Sequence, residues 1–112
     1  MFTIVILAER PFDWTHAEFV DWWRGEHANA TRQLPQLRAW VHSDVNSPVE
    51  PLSTGWNAMA VLSFETAEHR RRALRSDQWS ELMSHHGMTS GRRIVLMGDE
   101  RSMPALATDS GA

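Results

Sequence analysis

His27 is the residue of this sequence best placed to do chemistry, because it stands on the wrong side of a predicted helix. On a helical period of about 3.6 residues, one column holds Phe19, Trp23, His27, Ala30 and Leu34. A titratable imidazole therefore occupies a position in the apolar stripe that should face the core. This column is our candidate active site.

The surroundings of His27 predict the chemistry that its ring could do. An imidazole flanked by Trp23, Ala30 and, on one side, Trp22 is poorly solvated, and desolvation lowers a histidine pKa. The ring should therefore be neutral at pH 7 and able to accept a proton. A general base of this kind contributes roughly 10² to 10⁴ in rate. The alternative is a core histidine tied to a backbone carbonyl.

Three further histidines are candidates for a second proton-transfer group or a substrate anchor. His42 stands on a predicted strand whose inward face the pattern leaves open. His85 and His86 are adjacent, so only one can point inward, and the periodicity from Trp79 onward favours His86. A metal site would join His27, His42, His86 and a water. No local ligand spacing indicates it, so we expect no metal.

The tryptophans predict the kind of molecule that a pocket here would hold. Six tryptophans fit a pocket for a flat, apolar molecule, because aromatic walls bury a large area at low entropic cost. Trp23 is the predicted wall, and the adjacent Trp22 diverges from it by about 100°. Core packing is the better interpretation for Trp40, Trp56 and Trp79. The candidate substrate-binding residues are Trp23, Phe19, Trp22, Trp40, His85 and Met83.

Missing residue types exclude several classes of reaction. The absence of cysteine excludes disulfides, thiolate nucleophiles and iron–sulfur clusters, and it favours a reducing compartment. All 11 basic residues are arginine, so Schiff-base and pyridoxal chemistry on lysine are excluded. Without tyrosine, proton transfer falls to histidine, carboxylate and hydroxyl groups. Any acid/base chemistry should therefore depend on these groups.

Charge and hydropathy indicate neither a nucleic-acid nor a membrane partner. A net charge of −3 with scattered signs is not typical of a nucleic-acid binder. The basic cluster of Arg70, Arg71, Arg72 and Arg75 is interpreted as a solvated helix face. The apolar run from Phe2 to Ala8 is much shorter than the ~20 residues that cross a bilayer, and no cationic segment precedes it. A cytoplasmic protein is expected.

The elements that must position these residues follow from hydrophobic periodicity and capping signals. Thr15 and Glu18 form a capping-box signature for a helix that runs to about Leu34 and is stopped by Pro35. Strands are predicted over 1–9, 37–45, 56–64 and 93–97, further helices over 66–75 and from 76 to about 87, and a loop over 46–55.

This β-α-β-β-α-β order is that of a ferredoxin-like unit of the α+β class, with a four-stranded antiparallel sheet and both helices on one face. The other face needs a cover, and a two-fold dimer is the expected solution. We assign residues 1–100 to this domain and residues 101–112 to a flexible C-terminal tail.

The sequence resembles the EthD-like proteins of the dimeric α+β barrel superfamily over about residues 1–100. The Trp-x-x-x-His-Ala motif followed by Leu-Pro-x-Leu-Arg is fairly specific in combination. The resemblance lies in Phe19, Trp23, Glu26-His27-Ala28, Leu34-Pro35-Gln36-Leu37-Arg38, Trp40, Phe64-Glu65, Ser76-Asp77-Gln78-Trp79 and Asp99-Glu100.

This resemblance implies a homodimer whose sheets pack face to face, with a pocket in each subunit between helices and sheet. Related barrels include cofactor-free monooxygenases, muconolactone isomerases, and polyketide cyclases and decarboxylases. The helix-one histidine of the family corresponds to His27. The sequence departs from the family at Ser84-His85-His86, where an acidic residue is expected. Fold analogy therefore supports a pocket but not a particular reaction.

We expect a cofactor-free cyclase, isomerase, dehydratase or decarboxylase acting on an aromatic or polyketide-like substrate, in natural-product biosynthesis or aromatic catabolism. His27 would be the base, and His86 or His42 the acid or anchor. One alternative is a cofactor-independent monooxygenase of a phenol, which would consume O₂. Another is a protein that binds a hydrophobic ligand without turnover.

Overall fold

The computed structural model describes residues 1–50 and 55–104. The predicted loop over 46–55 and the predicted tail over 101–112 are therefore described only in part, and residues 51–54 and 105–112 lie outside the described residues. The elements are β1 (Phe2–Ala8), α1 (His16–Trp22), a π-helical turn (Trp23–His27), α2 (Ala28–Thr31), β2 (Ala39–Asp44), β3 (Ala58–Phe64), α3 (Ala67–Leu74), α4 (Asp77–Ser84), α5 (His86–Thr89) and β4 (Arg93–Asp99).

The strands form one four-stranded sheet in the order β2-β3-β1-β4, and every neighbouring pair is antiparallel. The predicted α+β fold and strand content are confirmed. The sheet order places β2 and β4 at opposite edges, about 14 Å apart at a strand spacing of about 4.8 Å.

Local side-chain chemistry sets the starts of the helices as predicted. Thr15 and Glu18 form a reciprocal capping box at α1, in which Thr15 Oγ1 accepts from the Glu18 N–H and Glu18 Oε1 from the Thr15 N–H. Thr66 caps α3, and Ser76 caps α4, each by accepting a backbone N–H three residues later. These caps satisfy donors that a helix start otherwise leaves without partners.

One face of the sheet packs under the helices and carries the core. In β1 the residues Ile4, Ile6 and Ala8 are buried, whereas the intervening Val5 and Leu7 are only half-buried. The prediction of a strand buried on nearly both faces is therefore wrong for the single chain. Its second apolar face lies on the side of the sheet away from the helices.

That second face of the sheet is apolar across its whole width. The register aligns Val41, Val61, Val5 and Leu96 in a row from edge to edge. Val41 is 61% exposed and Leu96 is 55% exposed. We call this surface the open sheet face. Among the described residues, no helix is both long enough and apolar enough to cross a membrane.

Candidate active site

The π-helical turn places His27 against the core, on the side that the sequence column predicts. Its side chain is fully buried, as are those of Phe19 and Trp23 in the same column. Thr31, one turn later, is also buried, and its hydroxyl donates to the His27 carbonyl oxygen at 2.8 Å. This hydrogen bond ties the start of α2 to the carbonyl group of His27.

Two adjacent tryptophans enclose the His27 ring. Trp23 stacks on it with ring centroids 4.3 Å apart and an interplanar angle of 11°. Trp22 contacts it at a centroid distance of 4.8 Å and an angle of 45°. In an ordinary α-helix, residues five apart diverge by about 140° around the axis. The π turn, whose hydrogen bonds join residues five apart, brings Trp22 over His27 as well.

A second imidazole, that of the half-buried His42, faces His27 from the edge strand β2. The centroid of the His42 ring lies 5.4 Å from that of His27 and 4.7 Å from that of Trp23. Trp40, two residues earlier on the same side of β2, meets His42 edge-on at 4.6 Å. The structure thus resolves the facing of β2, because Trp40 and His42 point toward the helices, and Val41 toward the open sheet face.

Four side chains of this cluster carry buried polar atoms without a hydrogen-bond partner among the described residues. These atoms are the Trp23 Nε1, both ring nitrogens of His27, the His42 Nε2 and the His85 Nδ1. A buried polar atom without a partner costs about 1 to 3 kcal/mol, and native structures hold few of them. Such a concentration in one place indicates a site that meets its hydrogen-bond partner from outside the chain.

Burial keeps both central imidazoles uncharged. The pKa of His27 falls from its ordinary value of 6.5 to about 3, first because burial disfavours the imidazolium and then through His42 and His85. The pKa of His42 falls to about 4 because of burial, although the Asp44 carboxylate opposes this change. Both rings are therefore neutral near pH 7.

The structure corrects the prediction that His86 faces the interior. The helix that begins at Ser76 ends at Ser84, and His85 is extended, with φ −60° and ψ 144°. This break ends the periodicity on which the prediction rested. His86 is on the surface, where its Nε2 lies 3.5 Å from the Asp13 Oδ1 and its Nδ1 lies 2.9 Å from the Ser90 Oγ.

His85 takes the place that periodicity assigned to its neighbour. Its ring meets Trp22 edge-on at a centroid distance of 6.2 Å. The site therefore brings together His27, His42 and His85 around Trp22 and Trp23. A three-histidine metal site that includes His86 is wrong, and no group of three potential ligands among the described residues is arranged to hold a metal ion.

The remaining predicted site residues surround this cluster. Phe19 is fully buried and lies 6.0 Å from the Trp23 ring, behind the wall rather than in it. Met83 and Trp79 are partly buried against the core. Trp56 lies outside that core and contacts the Arg92 guanidinium at 4.6 Å from its ring centroid, so core packing is the wrong interpretation there.

Trp22 lies between His27 and the surface. It is half-buried, and its far edge rests against Gly87, where an added Cβ would lie 2.6 Å from the ring. Three surface cavities that the described residues line do not include any of the clustered histidines. Displacement of a side chain such as Trp22 is the direct way to expose the ring nitrogens.

Sequence reasoning missed two features of this site, the π turn and an ion pair at its rim. The π turn has no recognised sequence signature, and only its Gly25, an unfavourable residue in an α-helix, marks the segment. His85 was among the predicted substrate-binding residues, but the inward position was assigned to His86, because a helix break at one residue cannot be read from periodicity. An ion pair at the rim, between Arg24 of the π turn and Asp44 of β2, also depends on tertiary contact alone.

Comparisons with known proteins identify relatives by structure only. No family model matches the sequence, and no curated protein matches it. An ethyl tert-butyl ether D (EthD) family protein from Bacillus halodurans superposes with a TM-score of 0.72 at 20% identity, over 90% of this chain and 99% of that one. Hydroxynitrile lyase from Passiflora edulis superposes with a TM-score of 0.72 at 13% identity, over 92% and 96%.

A variant of SnoaB, a cofactor-independent oxygenase from Streptomyces nogalater, superposes with a TM-score of 0.64 at 13% identity, over 91% of this chain and 94% of that one. At these identities the likeness establishes fold rather than reaction. The resemblance to EthD-like proteins that the sequence indicates is confirmed at the level of three-dimensional structure. The chain has the ferredoxin-like α+β fold that an EthD family protein also has.

Proposed function

We propose that this protein is a small-molecule enzyme in which His27 acts as a general base on a hydrophobic substrate. The observation that carries the proposal is the buried, neutral imidazole whose two ring nitrogens have no partner within the described chain. A core histidine with a purely structural role would be expected to hold at least one hydrogen bond. The His27 ring forms none with the residues that the structure describes.

The lowered pKa defines the kind of proton transfer that this base can perform. An imidazole with a pKa of about 3 holds a proton weakly while the site is empty. When it removes a proton from a bound hydroxyl or acidic C–H, the substrate becomes an anion beside the new imidazolium. That ion pair raises the pKa of His27 during the reaction, because an opposite charge at close range favours the charged ring.

His42 is the best-placed second group for the reaction. It faces His27 across the cluster at 5.4 Å between ring centroids, and its Nε2 has no partner among the described residues. A neutral imidazole can donate a hydrogen bond from one nitrogen and accept one at the other. His42 could therefore hold the developing substrate anion, with His85 as the alternative on the Trp22 side.

The tryptophans favour a flat, apolar substrate. The faces of Trp22 and Trp23 already stack against an imidazole, and a planar ring that displaces Trp22 would meet the same surfaces. Aromatic and polyketide-like molecules combine a flat apolar body with an acidic hydroxyl or C–H. We therefore propose this substrate class, and a lyase, isomerase or cyclase reaction that needs only proton transfer.

The hydroxynitrile lyase among the structural neighbours supports this proposal, because cyanohydrin cleavage needs only proton transfer. In cyanohydrin cleavage a base takes the hydroxyl proton, the bond from carbon to cyanide breaks, and the cyanide that leaves takes a proton to become HCN. An aldehyde or ketone remains. The reaction uses no cofactor, and one imidazole with one hydrogen-bond donor is enough for it.

The first experiment compares His27→Asn with His69→Asn, whose target is a half-buried histidine on α3 outside the cluster of His27, His42 and His85. Both variants are assayed with a panel of an aromatic cyanohydrin, an aromatic β-keto acid and an unsaturated lactone, after native mass spectrometry of any co-purified ligand. We expect turnover of a panel member or of the co-purified ligand. His27→Asn should lower it by roughly 10²-fold or more, and His69→Asn should leave it unchanged. Equal activity in His27→Asn and wild type would contradict the proposal.

A cofactor-independent oxygenase is the second candidate, because the structural neighbour SnoaB has that activity. Here His27 would deprotonate a phenol, and the electron-rich anion would itself supply the electrons for O₂. An oxygen electrode separates the two functions, since stoichiometric O₂ consumption with an electron-rich phenol or anthrone requires the oxygenase. Ligand binding without turnover, unaffected by His27→Ala, would instead identify a binding protein.

The open sheet face supports a homodimer as the functional form. An apolar surface that spans all four strands is unfavourable in water, and its edge positions Val41 and Leu96 are more than half exposed in the single chain. Two copies packed face to face would cover it and leave the helix-covered faces, with their histidines, on the outside.

A further inference from the structure

A second candidate site lies at the opposite edge of the helix-covered face, between α3 and β4. It is a cavity of about 350 Å³ whose lining consists of Ala67, Arg70, Arg71, Leu74, Arg75 and Met97. Its volume falls at the lower end of the range for small-molecule pockets. We call it the arginine cavity. It lies about three strand spacings, roughly 14 Å, from the β2 edge that holds His42.

The arginine cavity is built from one face of α3. Its five lining residues from this segment follow the i, i+3, i+4, i+7, i+8 pattern that normally carries an apolar stripe. Three of the five are arginines, so cations stand where an amphipathic helix would place apolar side chains. The floor is nevertheless apolar, since Ala67, Leu74 and Met97 form it.

Arg70 is structural and is not available to a ligand. Its side chain is only 13% exposed. Its Nη1 donates to the carbonyl oxygens of Thr3 and Gly98, at 3.3 and 2.9 Å, and to the Asp99 carboxylate at 3.1 Å. Arg70 therefore ties α3 to the end of β4 and fixes one wall of the cavity.

Arg71 and Arg75 are the two cations that can meet a ligand. Arg75 is exposed and forms no ion pair within the chain as described. Arg71 pairs with Glu68 at 3.0 Å, but Glu68 also pairs with Arg72 at 3.3 Å. Arg71 can therefore turn toward a ligand without leaving Glu68 unpaired. The two guanidinium groups belong to residues four apart, which are neighbours on a helix surface.

We propose that the arginine cavity binds an amphipathic carboxylate, with its charged head on Arg71 and Arg75 and its apolar chain over Leu74 and Met97. Charge complementarity supports this occupant. The chain has a net charge of −3, yet α3 carries a local excess of positive charge beside an apolar floor. A guanidinium binds a carboxylate through two parallel hydrogen bonds, and neighbouring apolar surface holds the chain. This site is independent of His27.

The test uses protein labelled with ¹³C at the methionine methyl groups and titrated with decanoate, decanol and acetate. We expect decanoate to shift the Met97 methyl resonance in a saturable way and to leave that of Met88, buried under the helices, in place. Decanol and acetate should each bind at least tenfold more weakly, since each lacks one half of the recognised chemistry.

Four variants identify the residues involved. Arg75→Gln and Arg71→Gln should each weaken decanoate binding about tenfold, whereas Arg72→Gln, on the same helix but outside the cavity, should not. Met97→Gln removes part of the apolar floor at a side chain that is 65% exposed, so the fold should tolerate it while binding weakens.

Equal weakening in Arg72→Gln and Arg75→Gln would show nonspecific attraction to a basic helix and would overturn the proposal. Decanol or acetate binding as tightly as decanoate would overturn it as well. A shift of Met88 without one of Met97 would place decanoate elsewhere and have the same consequence. His27→Asn, which tests the proposed function, should leave the decanoate titration unchanged.

Discussion

His27 and His42 share an environment that keeps both rings uncharged and leaves three of their ring nitrogens, both of His27 and the Nε2 of His42, without partners among the described residues. In a folded protein this arrangement is unfavourable, because a buried donor or acceptor loses its hydrogen bonds to water and gains none in return. His27 and His42 nonetheless lie in contact with the same tryptophan, Trp23. The cluster is more easily explained by reaction chemistry than by the stability of the fold.

Replacing His27 with an apolar residue of similar size measures the free-energy cost of burying ring nitrogens that have no hydrogen-bond partner. His27→Leu should change the free energy of unfolding at pH 7 by no more than about 1 kcal/mol, because no ring hydrogen bond is lost. His27→Ala, which leaves a void, should cost about 2 to 4 kcal/mol. Urea denaturation measures both. If His27→Leu lowered the free energy of unfolding as much as His27→Ala does, the ring nitrogens would have hydrogen-bond partners, contrary to this interpretation.

The lowered pKa values also predict how stability depends on pH. The folded-state pKa values of about 3 for His27 and about 4 for His42 lie below their unfolded value of 6.5. As pH falls below 6.5, these two histidines bind protons in the unfolded chain but not in the folded chain. The free energy of unfolding therefore decreases progressively toward pH 3. The loss attributable to His27 is roughly 3 to 5 kcal/mol.

The double variant His27→Leu/His42→Leu separates this loss from ordinary acid denaturation. Urea denaturation between pH 7 and pH 5 should show a clearly smaller decline in the variant than in wild type. The pair of substitutions His16→Leu/His69→Leu, at two histidines outside the cluster, is the matched control and should retain the wild-type slope. Identical slopes in wild type and the double variant would contradict the assigned pKa shifts.

At the scale of elements, the site depends on two irregularities in otherwise regular helices. The π turn brings both Trp22 and Trp23 onto His27, and the break at His85 turns that ring toward Trp22 and His86 toward solvent. Regular α-helices would have placed only Trp23 on His27, and they would have turned His86 rather than His85 toward the interior.

Gly87 controls the position of Trp22, because an added Cβ would overlap the indole ring at 2.6 Å. Gly87→Ala should destabilise the fold by about 1 to 3 kcal/mol, or displace Trp22 with a change in tryptophan fluorescence. Gly25→Ala is the matched control. No heavy atom outside its own helix backbone and chain neighbours lies within 4 Å of an added Cβ there, and a gain of up to about 1 kcal/mol is expected. Equal effects of the two substitutions on thermal unfolding would exclude this role for Gly87.

The difference between what was predicted and what was missed has a physical basis. Caps and alternating strands are local, so Thr15, Thr66 and Ser76 mark their helices, and the strands follow from their patterns. The column through His27 also follows from helical periodicity. The π turn and the break at His85 accompany the tertiary packing of Trp22 against Gly87 and His27. A helical period of about 3.6 residues carries no information about such contacts.

At the scale of the whole molecule, the two faces of one sheet serve different purposes. The helix-covered face holds the histidine cluster at the β2 edge and the arginine cavity at the β4 edge. The open sheet face carries no titratable residue in its central row of Val41, Val61, Val5 and Leu96. The proposed chemistry and the proposed dimer contact therefore use opposite faces of the sheet.

Substitutions on β4 can test which face forms the dimer. Leu96→Asp places a charge on the open sheet face and should convert a dimer into a monomer, as measured by analytical ultracentrifugation. Met97→Gln, one residue later, points to the helix-covered side and should remain dimeric. A monomeric wild type, or a Leu96→Asp variant that still dimerises, would contradict assembly through this face.

Titration of the histidine side chains by ¹⁵N NMR between pH 8 and pH 5, with His27→Asn used to assign the His27 resonance, measures the charge of the proposed base directly. His27 should remain neutral throughout this range, because burial lowers its pKa to about 3. A His27 ring that gains its proton near pH 6.5, as an imidazole in open water does, would contradict the dry, neutral base on which the proposed function depends.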